Sequence, residues 1–192
     1  GTCLALFLWL RPWNYYSAPR ISGLAAGVLV GVGTALVWIA PETPLAGRFP
    51  ALQDFYLQWM VLPFGEIPDP SRATPYAPKV CGWTLSLVRL GGSALVIAVI
   101  EEFFWRGFLY RWLIRRQFWT VDLDRFEVSP FLITVVLFGL EHDRWAVGLV
   151  VGAAYGALIL LRKNVWPAVC AHVVTNLLLG LYVLSTGSYN FW

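Results

Sequence analysis

Four polar side chains lie within or at the edge of strongly apolar stretches of this chain. These residues are Glu101, His142, His172 and Asn176. Carboxylates and imidazoles act as general bases, while an imidazole and an amide can donate hydrogen bonds to a developing oxyanion. Ionisable groups at membrane depth usually mark a proton relay, an ion path or an active site. The four residues therefore indicate chemistry performed inside a bilayer.

A second glutamate and an arginine follow Glu101 with helical spacing. Glu102 and Arg106 are four residues apart, so on a helix they lie on one face and can neutralise each other. Glu101 points about 100° away around the same helix and has no partner within that helix. Desolvation drives a carboxyl group of this kind toward the basicity that a general base needs, unless another group holds its charge. The two histidines are the candidates for that group.

Each histidine has a companion one helical turn away. Phe138 precedes His142 by four residues, and Asn176 follows His172 by four residues. On a helix, each spacing places the two side chains on one face. The sequence therefore contains three short motifs, EExxxR, FxxxH and HxxxN, in that order.

The composition is that of a multi-pass membrane protein. Of the 192 residues, 58% are hydrophobic and only 13% are charged, whereas a soluble domain has about 25% charged residues. The sequence predicts an all-α, polytopic bundle of about six transmembrane helices. This number includes a short apolar run at residues 2–10, whose start we expect upstream of Gly1. The other apolar segments are residues 21–40, 82–100, 130–140, 145–161 and 165–184.

The chain divides into two parts of one integral membrane domain. Residues 1–80 are predicted to contain N-terminal membrane helices and an outer loop, with a short helix at 51–62 and a Pro-rich run at 63–78 that cannot be regular helix. Residues 81–192 are predicted to form the core that contains the three motifs. The net charge of +3 needs no nucleic-acid partner to explain it.

Basic residues at the helix ends predict the orientation. Three connections that carry them share one side if the helices alternate, and the positive-inside tendency makes that side cytoplasmic. Their basic residues are Arg11, Arg20, Arg111, Arg115, Arg116, Arg125, Arg162 and Lys163, with Arg111 placed just after the third helix.

The apolar stretch before His142 is short. Residues 130–140 are too few to cross a hydrocarbon core of ~30 Å at about 1.5 Å per residue. The following connection is therefore expected below the outer surface. The charges of Glu141, Asp143 and Arg144 at that depth would need a water-filled cavity.

Glycines recur at four-residue spacing in two of the apolar stretches. In membrane helices this spacing lets two backbones approach closely, so we interpret these faces as packing surfaces. The glycines are Gly23, Gly27 and Gly31 in one stretch and Gly148, Gly152 and Gly156 in the other.

The three motifs resemble those of the type II CAAX prenyl endopeptidases and their bacterial relatives, the CPBP or Abi family. The resemblance covers roughly residues 85–184, and every fixed position of the motifs is matched. It implies a glutamate-dependent intramembrane endopeptidase. It also implies a multi-pass protein of the bacterial inner membrane.

The resemblance also implies roles for the motif residues. Glu101 and His142 would activate a water molecule, and His172 and Asn176 would stabilise the oxyanion. The supporting residues would be Glu102, Arg106 and Phe138. The implied scheme needs no cofactor, and the implied substrate is a membrane-associated or lipidated polypeptide, cut near its C-terminus.

Other readings of the same residues stay open. Glu101, His142 and His172 would also suit a zinc site with two histidines and one carboxylate, although no HExxH helix is present. A non-catalytic immunity or scaffold protein of the same fold and a proton-coupled carrier are rivals from other classes. A cysteine transpeptidase ranks below these, because Cys170 and His172 lie about 200° apart around a helix.

Overall fold

The computed structural model of the protein describes residues 2–61 and 74–192. All regular secondary structure in these residues is helical, which confirms the predicted all-α class. In chain order the helices are α1 (Thr2–Leu10), α2 (Ile21–Ile39), α3 (Pro50–Trp59), α4 (Pro78–Ile114), α5 (Val128–Leu140), α6 (Trp145–Arg162) and α7 (Trp166–Thr186).

The helices form a polytopic membrane bundle. Four of them, α2, α4, α6 and α7, are long and apolar enough to cross a membrane. The shorter apolar helices α1, of 9 residues, and α5, of 13 residues, bring the total to the predicted six. Large apolar side chains such as Leu29, Leu95 and Leu161 face outward, whereas Glu102 and Arg106 are buried. This distribution, polar inside and apolar outside, is that of an integral membrane protein.

Helix α4 carries the glutamate pair and is irregular. Its turns from Gly92–Ile97 and from Phe103–Leu109 are π-helical, and the two glutamates end the short α-helical stretch Ala98–Glu102 between them. Such π-helical turns occur frequently at functional sites because they re-aim side chains on a helix. A kink at Gly82, whose φ of 79° favours glycine, sets the direction in which α4 enters the bundle.

One sequence prediction about α4 is wrong. Arg111 does not follow the helix but lies in its last turns, where the side chain is buried. Its Nε donates to the carbonyl of Val121 at 2.8 Å and its Nη1 to that of Gly107 at 3.1 Å. Because these two carbonyls accept its hydrogen bonds, the Arg111 guanidinium can lie inside the bundle instead of in the connection.

Glycine contacts hold two pairs of helices together. A Cβ atom on Gly31 of α2 would lie 2.5 Å from the carbonyl oxygen of Ala171 in α7, and one on Gly27 would lie equally close to that of Pro167. Between α5 and α6, a Cβ atom on Gly148 would lie 2.9 Å from the Cα of Gly139. The prediction that these glycines form packing faces is confirmed.

The connections between the helices gather on two faces of the bundle. On one face, Lys163 forms an ion pair with Asp124 at 2.6 Å, and Asn164 donates to the carbonyl of Ala18 at 3.1 Å. The three connections rich in basic residues therefore lie together, as predicted. On the opposite face, Glu42 accepts from Arg144 Nη2 at 2.9 Å.

The outer segment is described in part. The predicted helix at residues 51–62 is present as α3. The Pro-rich run predicted at 63–78 lies largely outside the described residues, which resume at residue 74. The division of the chain at residues 80 and 81 stays a prediction.

Candidate active site

The four polar residues of the sequence analysis line one cavity. It has a volume of about 320 Å³ and lies between α4, α7 and the turn that joins α5 to α6. Helix α4 contributes Glu101, the turn contributes His142, and α7 contributes His172 and Asn176. The charged residues of that turn also line the cavity, which agrees with the predicted need for a hydrated space at that depth.

Glu102 connects three of the surrounding helices. Its carboxylate is completely buried, and Oε1 accepts hydrogen bonds from Arg106 Nη1 at 2.8 Å and from His172 Nδ1 at 2.9 Å. Arg106 Nη2 also donates to the carbonyl of Gly152 in α6 at 3.1 Å. A carboxylate that accepts from an imidazole fixes the ring's orientation and leaves its other nitrogen free to act. Here that nitrogen is His172 Nε2.

Glu101 faces the cavity beside that nitrogen. Its Oε2 lies 3.8 Å from His172 Nε2, which is longer than a direct hydrogen bond. Its side chain keeps 21% of its surface exposed. Among the described residues, Oε2 has no hydrogen-bond partner. Oε2 itself is buried, so the side chain offers its exposed part to a molecule that enters the cavity.

A backbone contact sets the protonation pattern of His142. Its Nδ1 lies 2.8 Å from the carbonyl oxygen of Phe138, one turn earlier in the chain. A carbonyl oxygen accepts and cannot donate, so Nδ1 carries the proton. In the neutral ring, Nε2 then presents a lone pair. The ring is also held by Trp38, whose centroid lies 5.2 Å away in an edge-on arrangement.

Phe138 packs against the other parts of the site. Its ring centroid lies 4.8 Å from that of His142 and 5.9 Å from that of His172. The Arg106 guanidinium carbon lies 4.2 Å from the same ring, a geometry that favours a cation over an aromatic face. One buried ring therefore positions both imidazoles and the arginine.

Asn176 is partly engaged by the backbone of α4. Its Nδ2 donates to the carbonyl of Ser93 at 3.1 Å. An amide nitrogen has two N–H groups, so one remains for a ligand in the cavity. The bond also joins α7 to α4 one turn beyond the His172–Glu102 contact.

Several contacts around the site were missed by sequence reasoning. Tyr155 packs its ring 5.2 Å from that of His172 and donates to Thr175 at 2.6 Å. Trp105 donates to Glu141 at 3.1 Å. At the rim, Arg144 pairs with Glu42. These partners come from distant parts of the chain, and helical spacing carries no signal for such contacts.

Metal-ligand geometry is not found at the site. Within residues 2–61 and 74–192, no three side chains of His, Cys, Asp or Glu are arranged to hold a metal ion. His142 Nδ1 and His172 Nδ1 are both occupied by oxygen acceptors.

Comparison with known proteins identifies the family. Residues 83–178, half of the chain, match the family described as type II CAAX prenyl endopeptidase Rce1-like. The match contains all three motifs, and the chain belongs to this family, as the motifs indicated. It is a family of proteases. No curated protein and no solved structure matches the chain.

Proposed function

We propose that this protein is an intramembrane endopeptidase that uses Glu101 and His142 to activate water. The observation that carries the proposal is the meeting of Glu101, His142, His172 and Asn176 around one cavity within a membrane bundle. Membership of a protease family supports the same class of reaction.

The arrangement supplies both acceptors that an attacking water molecule needs. Glu101 takes one proton of the water, and the lone pair on His142 Nε2 accepts a hydrogen bond from the other. The hydroxide attacks the carbonyl carbon of the scissile peptide bond. Glu101 then delivers its proton to the leaving amide nitrogen as the C–N bond breaks. One product then ends in a new carboxyl group, and the other begins with a new amine.

His172 and Asn176 serve the oxyanion in this scheme. The free N–H of Asn176 donates directly. His172 donates from Nε2 when its ring carries both protons, and the Glu102 carboxylate at Nδ1 stabilises that positive charge. Glu102, Arg106 and Phe138 hold the ring in place and do not touch the substrate.

The substrate we propose is a membrane-associated or lipidated polypeptide, cut near its C-terminus. The depth of the cavity within an apolar bundle supports a substrate that is already held at the bilayer. Membership of the type II CAAX prenyl endopeptidase family supports a cleavage position near the C-terminus. We also propose the bacterial inner membrane as its location.

Activity is tested with the purified protein in lipid nanodiscs against a library of membrane and lipidated peptides, read by mass spectrometry. We expect cleavage by the wild type and a loss of about 10²–10⁴-fold with Glu101→Gln. Glu127→Gln, which changes a partly exposed glutamate on the far side of the bundle, is the matched control. A non-catalytic immunity or scaffold protein would instead keep its effect in cells with Glu101→Gln.

A zinc-dependent scheme is separated by metal removal. We propose a metal-free reaction, so activity should survive dialysis against a strong chelator, and elemental analysis should find less than one zinc per chain. Loss of activity on chelation and its return with added zinc would overturn this part of the proposal.

A further inference from the structure

The cavity contains a guanidinium that has no acidic partner within the described part of the chain. Arg89 lines the cavity from α4, at the end away from Glu101. No carboxylate of residues 2–61 and 74–192 lies within 4.0 Å of it. Its Nε is buried and has no hydrogen-bond partner among those residues. The guanidinium carbon lies 4.6 Å from the ring of Tyr76, which holds the side chain in place without neutralising it.

The other arginine of the cavity differs in this respect. Arg144 is bound by the Glu42 carboxylate, with Nη2 to Oε2 at 2.9 Å, and it stacks on Phe191. A buried guanidinium is stable when an anion satisfies it, and planar carboxylates fit its fork of donors. Among residues 2–61 and 74–192, Arg89 therefore lacks the kind of partner that Arg144 has.

Charge within the cavity is unevenly distributed. Glu101, Glu141 and Asp143 line the part near the histidines, whereas Arg89 lies toward the start of α4. An incoming anion would be repelled by the acidic part and attracted by Arg89. A peptide that carries one negative group would therefore enter with that group at Arg89.

We propose that Arg89 binds the C-terminal carboxylate of the peptide substrate and so selects the bond that is cut. This inference rests on the proposed function. Ser93 and Ile97 lie between Arg89 and Glu101 along the same lining face. Twelve residues of helix rise about 18 Å, and an extended peptide covers about 3.4 Å per residue. The cleaved bond therefore lies within about five residues of the terminal carboxylate.

The inference is tested with two forms of one peptide that the wild type cleaves, ending in a free carboxylate or in a carboxamide. We expect the wild type to prefer the acid by about 10–100-fold in kcat/KM, mainly through KM, because a charge-assisted bidentate contact is lost with the amide. Arg89→Gln should raise KM for the acid by a similar factor and leave KM for the amide unchanged. Arg89→Lys should restore part of the preference. Lys79→Gln, on an exposed residue of the same helix, is the control.

Two results would overturn the inference. One is a wild type that cleaves both peptides equally well, which needs no variant to establish. The other is an equal effect of Arg89→Gln on both peptides, as expected if Arg89 binds a lipid phosphate. In that case KM would change between phosphatidylcholine and phosphatidylglycerol nanodiscs and not between the two peptide ends.

Binding separates this inference from the proposed function. Fluorescence anisotropy of labelled peptides that end in a carboxylate or a carboxamide, measured on Glu101→Gln, needs no hydrolysis, so these peptides need not be ones that the wild type cleaves. A preference for the acid that disappears with the additional change Arg89→Gln, together with no cleavage by the wild type, would remove the proposed reaction and keep the carboxylate site. Cleavage by the wild type with no preference in binding would keep the proposed reaction and remove the carboxylate site.

Discussion

At the scale of single residues, two adjacent glutamates have different surroundings. Glu102 is completely buried and accepts from both Arg106 and His172. Glu101, one residue earlier, points about 100° away and faces the cavity. Breaking a buried ion pair destabilises a protein because a charge is left without its partner. The same substitution should therefore cost much more stability at Glu102 than at Glu101.

Glu102→Gln is expected to destabilise the protein by about 3–5 kcal/mol, since Arg106 would keep a buried charge without a counter-ion. Glu101→Gln should change the free energy of unfolding by less than about 1 kcal/mol. Both are measured by equilibrium unfolding in detergent, in parallel with the peptidase assay. Equal stability losses at the two positions would contradict the assignment of Glu102 as the structural member of the pair.

Asn176→Ala tests the oxyanion role. Removing one oxyanion donor lowers kcat by about 10²–10³-fold while KM changes little. The lost bond to Ser93 also lowers stability by about 1 kcal/mol. Steady-state kinetics on a cleaved peptide measure both parameters, with Asn14→Ala at an exposed position as the control. A rise in KM at constant kcat would assign Asn176 to substrate binding instead.

At the scale of helices, the packing of α7 against α2 decides where His172 and Asn176 lie. Thr34 of α2 contacts Thr175 of α7 at 2.7 Å, between His172 and Asn176 in the sequence. Gly31, one turn before Thr34, meets the α7 backbone directly at Ala171. The close approach at this glycine therefore fixes the distance of α7 from α2 next to the site.

Gly31→Ala should force the two helices apart, because its Cβ would lie 2.5 Å from a backbone oxygen that cannot rotate away. We expect a stability loss of about 1–3 kcal/mol and a lower kcat. Gly33→Ala is a close control: nothing lies within 4 Å of its Cβ, and alanine favours the helix by up to about 1 kcal/mol. Unfolding curves and peptidase rates of the two variants are compared. A harmless Gly31→Ala would show that α2 does not set the position of α7.

Local spacing explains which parts of the site were predictable. The Glu102–Arg106 pair follows from a separation of four residues on one helix. The expectation that the turn at His142 lies below the outer surface, in a hydrated space, follows from the shortness of the apolar stretch before it. The bond from Glu102 to His172 joins residues 70 positions apart, so only the packing of α4 against α7 creates it.

The irregular shape of α4 also could not be predicted from the sequence. Its apolar run predicts one ordinary membrane helix, whereas two π-helical turns flank the glutamates. These turns depend on how neighbouring helices hold the backbone, and intrinsic propensity is a weak guide to such a choice. Arg111 was misplaced for a related reason. Its charge predicted a helix end, but the carbonyl of Val121 folds back to accept from it.

At the scale of the whole molecule, the cavity and the basic connections lie at opposite ends of the bundle. The basic connections meet through Lys163 and Asp124. The cavity is bordered by Arg144, which pairs with Glu42 beyond the other end of α2. Because positively charged connections stay in the cytoplasm, the cavity should open toward the outer face of the membrane.

Cysteine labelling in intact cells tests this orientation. After the native Cys3, Cys81 and Cys170 are replaced by alanine, Arg48→Cys and Gln117→Cys introduce exposed thiols at the two ends of the bundle. A membrane-impermeant maleimide should label the first in intact cells and the second only after permeabilisation, because the positive-inside tendency keeps the connection around Gln117 in the cytoplasm. The reverse pattern would place the cavity on the cytoplasmic face and require substrates to approach from there. Peptidase activity of both variants provides the control that the bundle is intact.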